Sequence, residues 1–345
     1  MLDFHISLPA NVALFFISGV IIGISGIKAA VLADRLADKT GIGEALTGTI
    51  FLGFLTALPG LLASVVAAYK GYPALAISNA IGGIAMQTVS LAIADIAYPR
   101  ANLEHAAASV PNIMQTTMLI TLMVFVIIGL SSPEATIGPI HPVTILLIIT
   151  AVSAFWLVVA TRDQPMWKPR LTDETVVDEP EDKHQQEDLH VLLTGLLISA
   201  TLCGTGGVLI AECAENIVKQ TGFSEVIVGG LFMAFATSLP ELVTCIAAVR
   251  RGALTLAVSD IVGGNFFDVL FVAAADFFYM KGSIYHADSV GLREIFLTAF
   301  TVLLNVILLS GLIFRQKRGL GNIGFESILM IMFYLGGFIV LSNYM

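Results

Sequence analysis

FATSLPELVTCIAAV, residues 235–249, is apolar at almost every position, yet Pro240 and the carboxylate of Glu241 stand side by side in its middle. A near-copy, FLTALPGLLASVVAA, occupies residues 54–68; it keeps the threonine and the Leu-Pro pair but has Gly60 where the later stretch has Glu241. Pro59 and Pro240 lie 181 residues apart, and the same shift, without a gap, pairs many other positions. Thr40-Gly41 meets Thr221-Gly222, Glu44 meets Glu225 and Gly71 meets Gly252. Gly82-Gly83 meets Gly263-Gly264, Asp95 meets Asp276 and Tyr98 meets Tyr279. Shared apolar composition alone does not keep polar and glycine positions in register, so the chain reads as two halves related by an internal repeat.

Composition puts both halves in a lipid bilayer. Mean hydropathy is +0.89. Hydrophobic residues make up 57% of the chain and charged residues 12%, against roughly 25% charged in a soluble domain. Apolar runs of about twenty residues recur, each enough to cross ~30 Å of hydrocarbon at about 1.5 Å per residue. They lack the apolar–polar alternation of barrel strands. The expectation is an all-α membrane protein with ten transmembrane helices, near 11–33, 45–68, 74–98, 112–130, 142–160, 190–211, 225–249, 253–279, 291–314 and 322–343. The first run has no basic segment before it and no small-residue cleavage site after it, so it reads as a span rather than a signal. Cys203, Cys213 and Cys245 lie in or beside spans and form neither a disulfide framework nor a metal-ligand spacing.

Five spans per half is an odd number, so the second half is expected to run through the membrane in the opposite sense. Residues 1–160 form the first five-helix repeat, and residues 190–345 its inverted counterpart. Between them, 161–189 is polar and acidic, includes DETVVDEPEDKHQQED, and reads as a solvated linker. Lys and Arg placement tests the orientation. With both termini outside, twelve of the 17 fall on the inner side: Arg35, Lys39, Arg100, Arg162, Lys168, Arg170, Lys183, Arg250, Arg251, Arg315, Lys317 and Arg318. Lys70, Lys219, Lys281 and Arg293 fall outside, and Lys28 snorkels from within the first span. The bias predicts a multi-pass protein of the cell (inner) membrane with its acidic linker in the cytoplasm. Inverted repeats characterise secondary transporters, whose sites lie near the midplane.

The second span of each half carries the helix-breaking proline. Pro240 has no N–H for the carbonyl of Ala236, and Pro59 none for Leu55; a carbonyl freed at this depth needs a polar partner, so broken helices here line cavities or ion paths. Thr237 and Glu241 are four apart and share a face, with Ser238 one step round. Hydroxyl, carbonyl and carboxylate oxygens together suit a hard cation such as Na+ or Ca2+. The alternative is a simple kink with Glu241 bonded to a neighbouring helix. The third span of the later half reads SDIVGGNFFDVL, residues 259–270, adding Asn265 and Asp268, with Asp260 a turn earlier and nearer the surface. Its earlier copy, SNAIGGIAMQTV, has Ile84 and Gln87 in their places.

TSLPELVT followed by GGNFFDVL resembles the α-repeat signature of the cation/calcium exchanger superfamily, best known for sodium/calcium exchangers. The resemblance extends over essentially the whole chain and is sharp in the later repeat, degraded in the earlier. It implies an inverted-repeat antiporter fold with cations bound by Thr237, Ser238, Glu241 and Asp268, Asn265 helping to shape the site, and Thr56 and Gln87 contributing from the earlier half. This chain departs from the pattern at Gly60, where an acid is usual, at Ala57, where a serine is usual, and at Gln87, where a shorter Asn or Asp is usual. Two carboxylates then stand where three or four are common.

These features predict a secondary antiporter, Ca2+ against Na+ by alternating access, that needs no cofactor. Its partners are the lipid bilayer and the transported Ca2+ and/or Na+, not nucleic acid. Loss of the paired acid keeps Na+/H+ or K+/H+ exchange open, as does a non-transporting sensor with the same fold. An enzyme is disfavoured: no nucleophile with its base and no His/Asp metal set shares a cavity. Asp95 and Asp276 lie about two turns beyond Gln87 and Asp268, roughly 12 Å, too far to join one ion site, and read as helix-end or gating residues, a structural cap before a gate. The six histidines show no ligand spacing.

Overall fold

The computed structural model describes residues 6–40, 53–96, 98, 102–163, 169–170, 172–173, 188–317, 319 and 323–343. Among them the chain is helical, and the only β feature is an isolated bridge between Ile137 and Ile140. The first half contains α1 (Leu8–Thr40), α2 (Gly53–Tyr69), α3 (Pro73–Ile96), the short α4 (Leu103–Ala107), α5 (Val110–Ser131) and α6 (Pro142–Asp163). The second contains α7 (Leu189–Thr221), α8 (Glu225–Thr237), α9 (Leu239–Arg251), α10 (Leu254–Phe278), α11 (Leu292–Phe314) and α12 (Phe325–Asn343). Seven of these (α1, α3, α5, α7, α10, α11 and α12) are long and apolar enough to cross a membrane, and α8 with α9 makes one further span bent by 49°. Shorter apolar helices cover Leu55–Tyr69 and Pro142–Val158. Part of the expected span 45–68, and most of the acidic linker, lie outside the described residues.

Burial ranks the helices. α3 is 94% and α10 72% buried over their apolar windows, whereas the other long spans are 39–50% buried. The two innermost helices are therefore counterparts under the 181-residue shift. Around them large apolar side chains such as Trp156, Leu197, Phe314 and Leu335 face outward, the surface hydrocarbon requires.

Local structure repeats at the same shift. Gly71 and Gly252 both take φ 85°, ending α2 and α9 in the left-handed conformation that glycine adopts without penalty. Gly71 N–H donates to Ala68 and Tyr72 N–H to Ala67, as Gly252 does to Val249 and Ala253 to Ala248. Asp95 Oδ1 accepts from the N–H of Leu103 (2.7 Å), and Asp276 Oδ1 from that of Ile284 (2.8 Å). Their second oxygens take parallel partners. Gly324 N–H and Ser327 hydroxyl reach Asp95 Oδ2, while His141 N–H and Thr144 hydroxyl reach Asp276 Oδ2. The paired aspartates thus hold the chain leaving each inner helix and the start of the other half's last helix, a capping role at helix ends.

The two prolines are seated alike. Gly26 of α1 lies against Pro240, where a Cβ would come within 2.4 Å of its ring. Gly207 of α7, the counterpart of Gly26, lies against Pro59, where a Cβ would come within 2.2 Å of its carbonyl oxygen. Each half's first helix buttresses the proline of the other half.

Candidate functional site

The prolines differ in what they do to their helices. Pro59 sits inside a continuous α2, so the opening expected there is absent. At Pro240 the helix does break. Ser238 takes φ −93°, ψ 8°, and α9 restarts with Pro240 and Glu241 in its first turn. Two local features accompany the later break. A π-helical turn over Val228–Met233 precedes the later break, adding a residue to the turn. Thr237 Oγ1 also donates to the carbonyls of Met233 (3.0 Å) and Ala234 (3.3 Å), tying the last turn of α8 to itself. The restart leaves the Glu241 carboxylate near the N-terminal end of α9, where the helix dipole favours negative charge.

The break opens onto a cavity of about 10 Å3, close to one water-sized sphere. Ala57 and Gly60 of α2 line it, with Asn79, Gly83 and Gln87 of α3, Thr237, Ser238 and Glu241 at the break, and Asp268 and Phe271 of α10. Across it Gln87 Nε2 donates to Asp268 Oδ2 at 2.7 Å and lies 3.3 Å from Ser238 Oγ. Gln87 and Asp268 are each other's counterparts in the repeat. The glycine pairs make the approach possible: a Cβ on Gly83 would lie 3.4 Å from Asp268 Oδ2, and one on Gly264 3.2 Å from Gln87 Oε1. Glu241 Oε2 and Gln87 Oε1 are buried without a hydrogen-bond partner. Buried polar oxygens normally have partners, so these two are available to a bound species. No group of three His, Cys, Asp or Glu side chains forms a metal cluster among the described residues. The donor set is two carboxylates supplemented by hydroxyl and amide oxygens, which fits a hard cation.

The expected residues fall into two groups. Thr237, Ser238, Glu241, Asp268 and Gln87 line the cavity; Thr56 is buried and within electrostatic reach of Glu241 but does not line it. Asn265, expected to help shape the site, does not line the cavity. Its Nδ2 donates to Thr88 Oγ1 (3.2 Å), which lies 3.4 Å from Asn305 Oδ1 on α11. Three residues' separation on a helix is a 60° turn away from Asp268, whereas Asp260, Gly264 and Asp268, spaced by four, stay within about 40° per step.

Two lining residues escaped the sequence reading. Asn79, four before Gly83, donates to Gly60 O (3.2 Å) and Ser64 Oγ (2.9 Å), and its Oδ1 is 3.5 Å from the Thr237 hydroxyl. Its counterpart is Asp260, and that pairing was the available signal. Phe271 stands against Gly60, its Cε2 2.8 Å from where a Cβ would be; nothing local to either residue announces this contact. Asp260 itself lies six residues inside α10, within the helix rather than at its end.

Charges gather at one end of the helices. Lys70, in the α2–α3 turn, pairs with Glu212 and with Glu215 (2.8 Å) of α7, and Lys219 pairs with Glu215. Burial works against the Lys70 ammonium, but its hydrogen bonds to the two glutamates prevail and hold it above its usual 10.5.

A polar cavity at a helix break between two buried, repeat-related helices is the arrangement that secondary membrane transporters use. The chain belongs to the sodium/calcium exchanger protein family, which matches residues 10–162 and 191–342. The putative antiporter CaxA of Alkalimonas amylolytica is 23% identical over 305 residues, covering 88% of this chain and 90% of that protein. The inner membrane protein YrbG of Escherichia coli is 24% identical over 252 residues, 73% of this chain and 74% of that protein. Among solved structures, the sodium-calcium exchanger NCX_Mj, soaked with Na+ and Ca2+, superposes with a TM-score of 0.61 at 18% identity, covering 97% of this chain and 99% of the other. That likeness shows the fold.

Proposed function

We propose that the protein is a secondary cation antiporter that exchanges Ca2+ for Na+ by alternating access, with Glu241 and Asp268 as the charged ligands. Thr237, Ser238, Gln87 and Thr56 complete or support the site. The observation that carries this is the pair of unpartnered oxygens, Glu241 Oε2 and Gln87 Oε1, in a cavity of one-ion size at a broken helix. In this reading α2 and α6 also cross the bilayer, giving ten spans in two inverted five-helix halves, residues 1–160 and 190–345. Asp268 touching its own counterpart Gln87 then means that the axis relating the halves passes through the site. Both termini are outside, residues 161–189 are cytoplasmic, and the chemistry is transport, not enzymatic turnover.

Two carboxylates are neutralised by one Ca2+ or by two Na+, so exchange is close to electroneutral. Purified protein in vesicles, loaded with Na+ and diluted into radioactive Ca2+ with and without an imposed potential, tests this. Ca2+ uptake should require the Na+ gradient, respond weakly to potential, and vanish in Glu241→Gln and Asp268→Asn. Uptake that survives both substitutions would sink the assignment. Vesicles that instead move Na+ or K+ against a pH gradient, with Ca2+ ignored, would replace it with proton-coupled exchange.

A further inference from the structure

Outside the cavity, one more acid is tied to it. Asp260 Oδ2 accepts from the Thr244 hydroxyl at 3.1 Å, and the same hydroxyl lies 3.1 Å from the backbone carbonyl of Glu241. The charges of Asp260 and Glu241 are close enough to interact. Glu241 is buried, whereas Asp260 is partly exposed. Asp260, Gly264 and Asp268 follow one face of α10 at four-residue steps, spanning about 12 Å. The middle position carries no side chain of its own, and Gln87 Oε1, without a hydrogen-bond partner, stands beside it, 3.2 Å from where a Cβ would be.

The repeat sharpens the contrast. Asn79 is the counterpart of Asp260, and it too is tied to the carbonyl of the residue that matches Glu241, through its amide's bond to Gly60 O at 3.2 Å. One half therefore places a neutral, 2% exposed amide where the other places a partly exposed acid.

We propose that Asp260 is an outer cation station, holding the arriving or departing Ca2+ or Na+ between the cavity and the membrane face that carries Arg250 and the α9–α10 turn. The route from that face is lined by an acid, and the opposite route by the amide of Asn79, so the two faces bind the transported cation with different strength. This rests on the antiporter reading above. The cation keeps part of its water at Asp260, because only one carboxylate and one hydroxyl meet it there, and sheds the rest on passing to Glu241 and Asp268.

Asp260→Asn places at this position the residue its counterpart already carries, a substitution the repeat tolerates. Half-saturating Ca2+ is measured separately from each face in vesicles of sorted orientation, with Asp260→Glu as the conservative control. At the α9–α10 face it should rise about three- to tenfold in Asp260→Asn, the worth of one partly screened charge. The rise should shrink at high ionic strength, and Asp260→Glu should restore the original value. The opposite face should not change. Equal changes at both faces, no change at either, or failure of Asp260→Glu to rescue would each overturn the proposal, since a merely structural role has no sidedness. If the unsubstituted protein moves no cation, the antiporter reading fails instead. Ca2+ titration of the detergent-solubilised protein then decides for Asp260: unchanged binding in Asp260→Asn rejects the station, and binding weakened about three- to tenfold supports it.

Discussion

Restoring the missing acid is the sharpest test of how the cavity was altered. A Cβ on Gly60 would lie 2.8 Å from Phe271 Cε2, so Gly60→Glu alone forces the ring aside, an overpacking cost of about 1–3 kcal/mol. Its carboxylate is then displaced and no new ligand forms. The counterpart of Phe271 is Ser90, whose hydroxyl donates to the carbonyl of Met86 at 2.9 Å. Phe271→Ser gives the later half the same device, with Phe267 O as acceptor. Alone it leaves a hole costing about 3–5 kcal/mol by comparison with other large truncations; combined with Gly60→Glu the hole is filled and the acid reaches the cavity. A carboxylate about 4 Å from a divalent ion interacts by roughly 8 kcal/mol at an effective dielectric of about 20. Desolvating the acid offsets most of that. A net gain of about 1.4 kcal/mol, tenfold in Ca2+ affinity, is the smallest expected. Calorimetric Ca2+ titration and thermal unfolding of the four proteins form a double-substitution cycle with favourable coupling of about 1–3 kcal/mol. If Gly60→Glu alone tightens Ca2+ binding without lowering stability, Phe271 does not guard the position and the reasoning fails.

Gly207→Ala should destabilise the protein by about 1–3 kcal/mol, because the added methyl would meet the Pro59 carbonyl at 2.2 Å. Gly336→Ala, with nothing within 4 Å, is the control; equal melting temperatures for the two variants would count against proline seating. Stability should also fall on the acid side through His141, in the α5–α6 connection. Burial, then the neighbouring His286 ring 5.2 Å away, holds it below its ordinary 6.5, with Asp276 opposing. A lowered folded value means the unfolded chain binds the proton first, so stability present above pH 6.5 is lost as pH drops below it, levelling once the folded imidazole also charges. His141→Gln should flatten that part of the melting-temperature profile, and an unchanged slope would exonerate this histidine.

Much of the fold was legible because the repeat preserves residues whose roles are local: Gly71 and Gly252 ending helices, Asp95 and Asp276 capping them. Proline likewise shows where a helix carbonyl loses its donor, but whether the helix opens there depends on its surroundings. Pro59 stays within a continuous helix, whereas at Pro240 the helix opens. The acid's absence at Gly60 could be read directly; its replacement by Phe271, 211 residues away, could not, because it is a packing relation between helices. Where Asn265 stands was hidden for a related reason. Its motif neighbours face the cavity, but its own position on the helix turns it toward Thr88.

The asymmetry between the halves bears on how such an exchanger works. Glu241, Asp260 and Asp268 all stand on α9 or α10, while α2 and α3 present Thr56, Asn79 and Gln87, which carry no charge. Moving an unpaired charge relative to hydrocarbon costs about 2.5–3.5 kcal/mol even on a lenient scale, and neutral groups avoid that cost. On the proposed mechanism the later half carries the ion and the earlier half is the surface past which it moves. Gln87 then has a second task. Its amide nitrogen donates to Asp268, and a bound cation would reverse the demand, for the amide oxygen, which has no hydrogen-bond partner, is the atom it needs. An acid at position 87 would repel Asp268 whenever the site emptied. The amide instead serves as an internal substitute for the cation, so the empty state is stabilised more than it would be in a relative with acids on both helices.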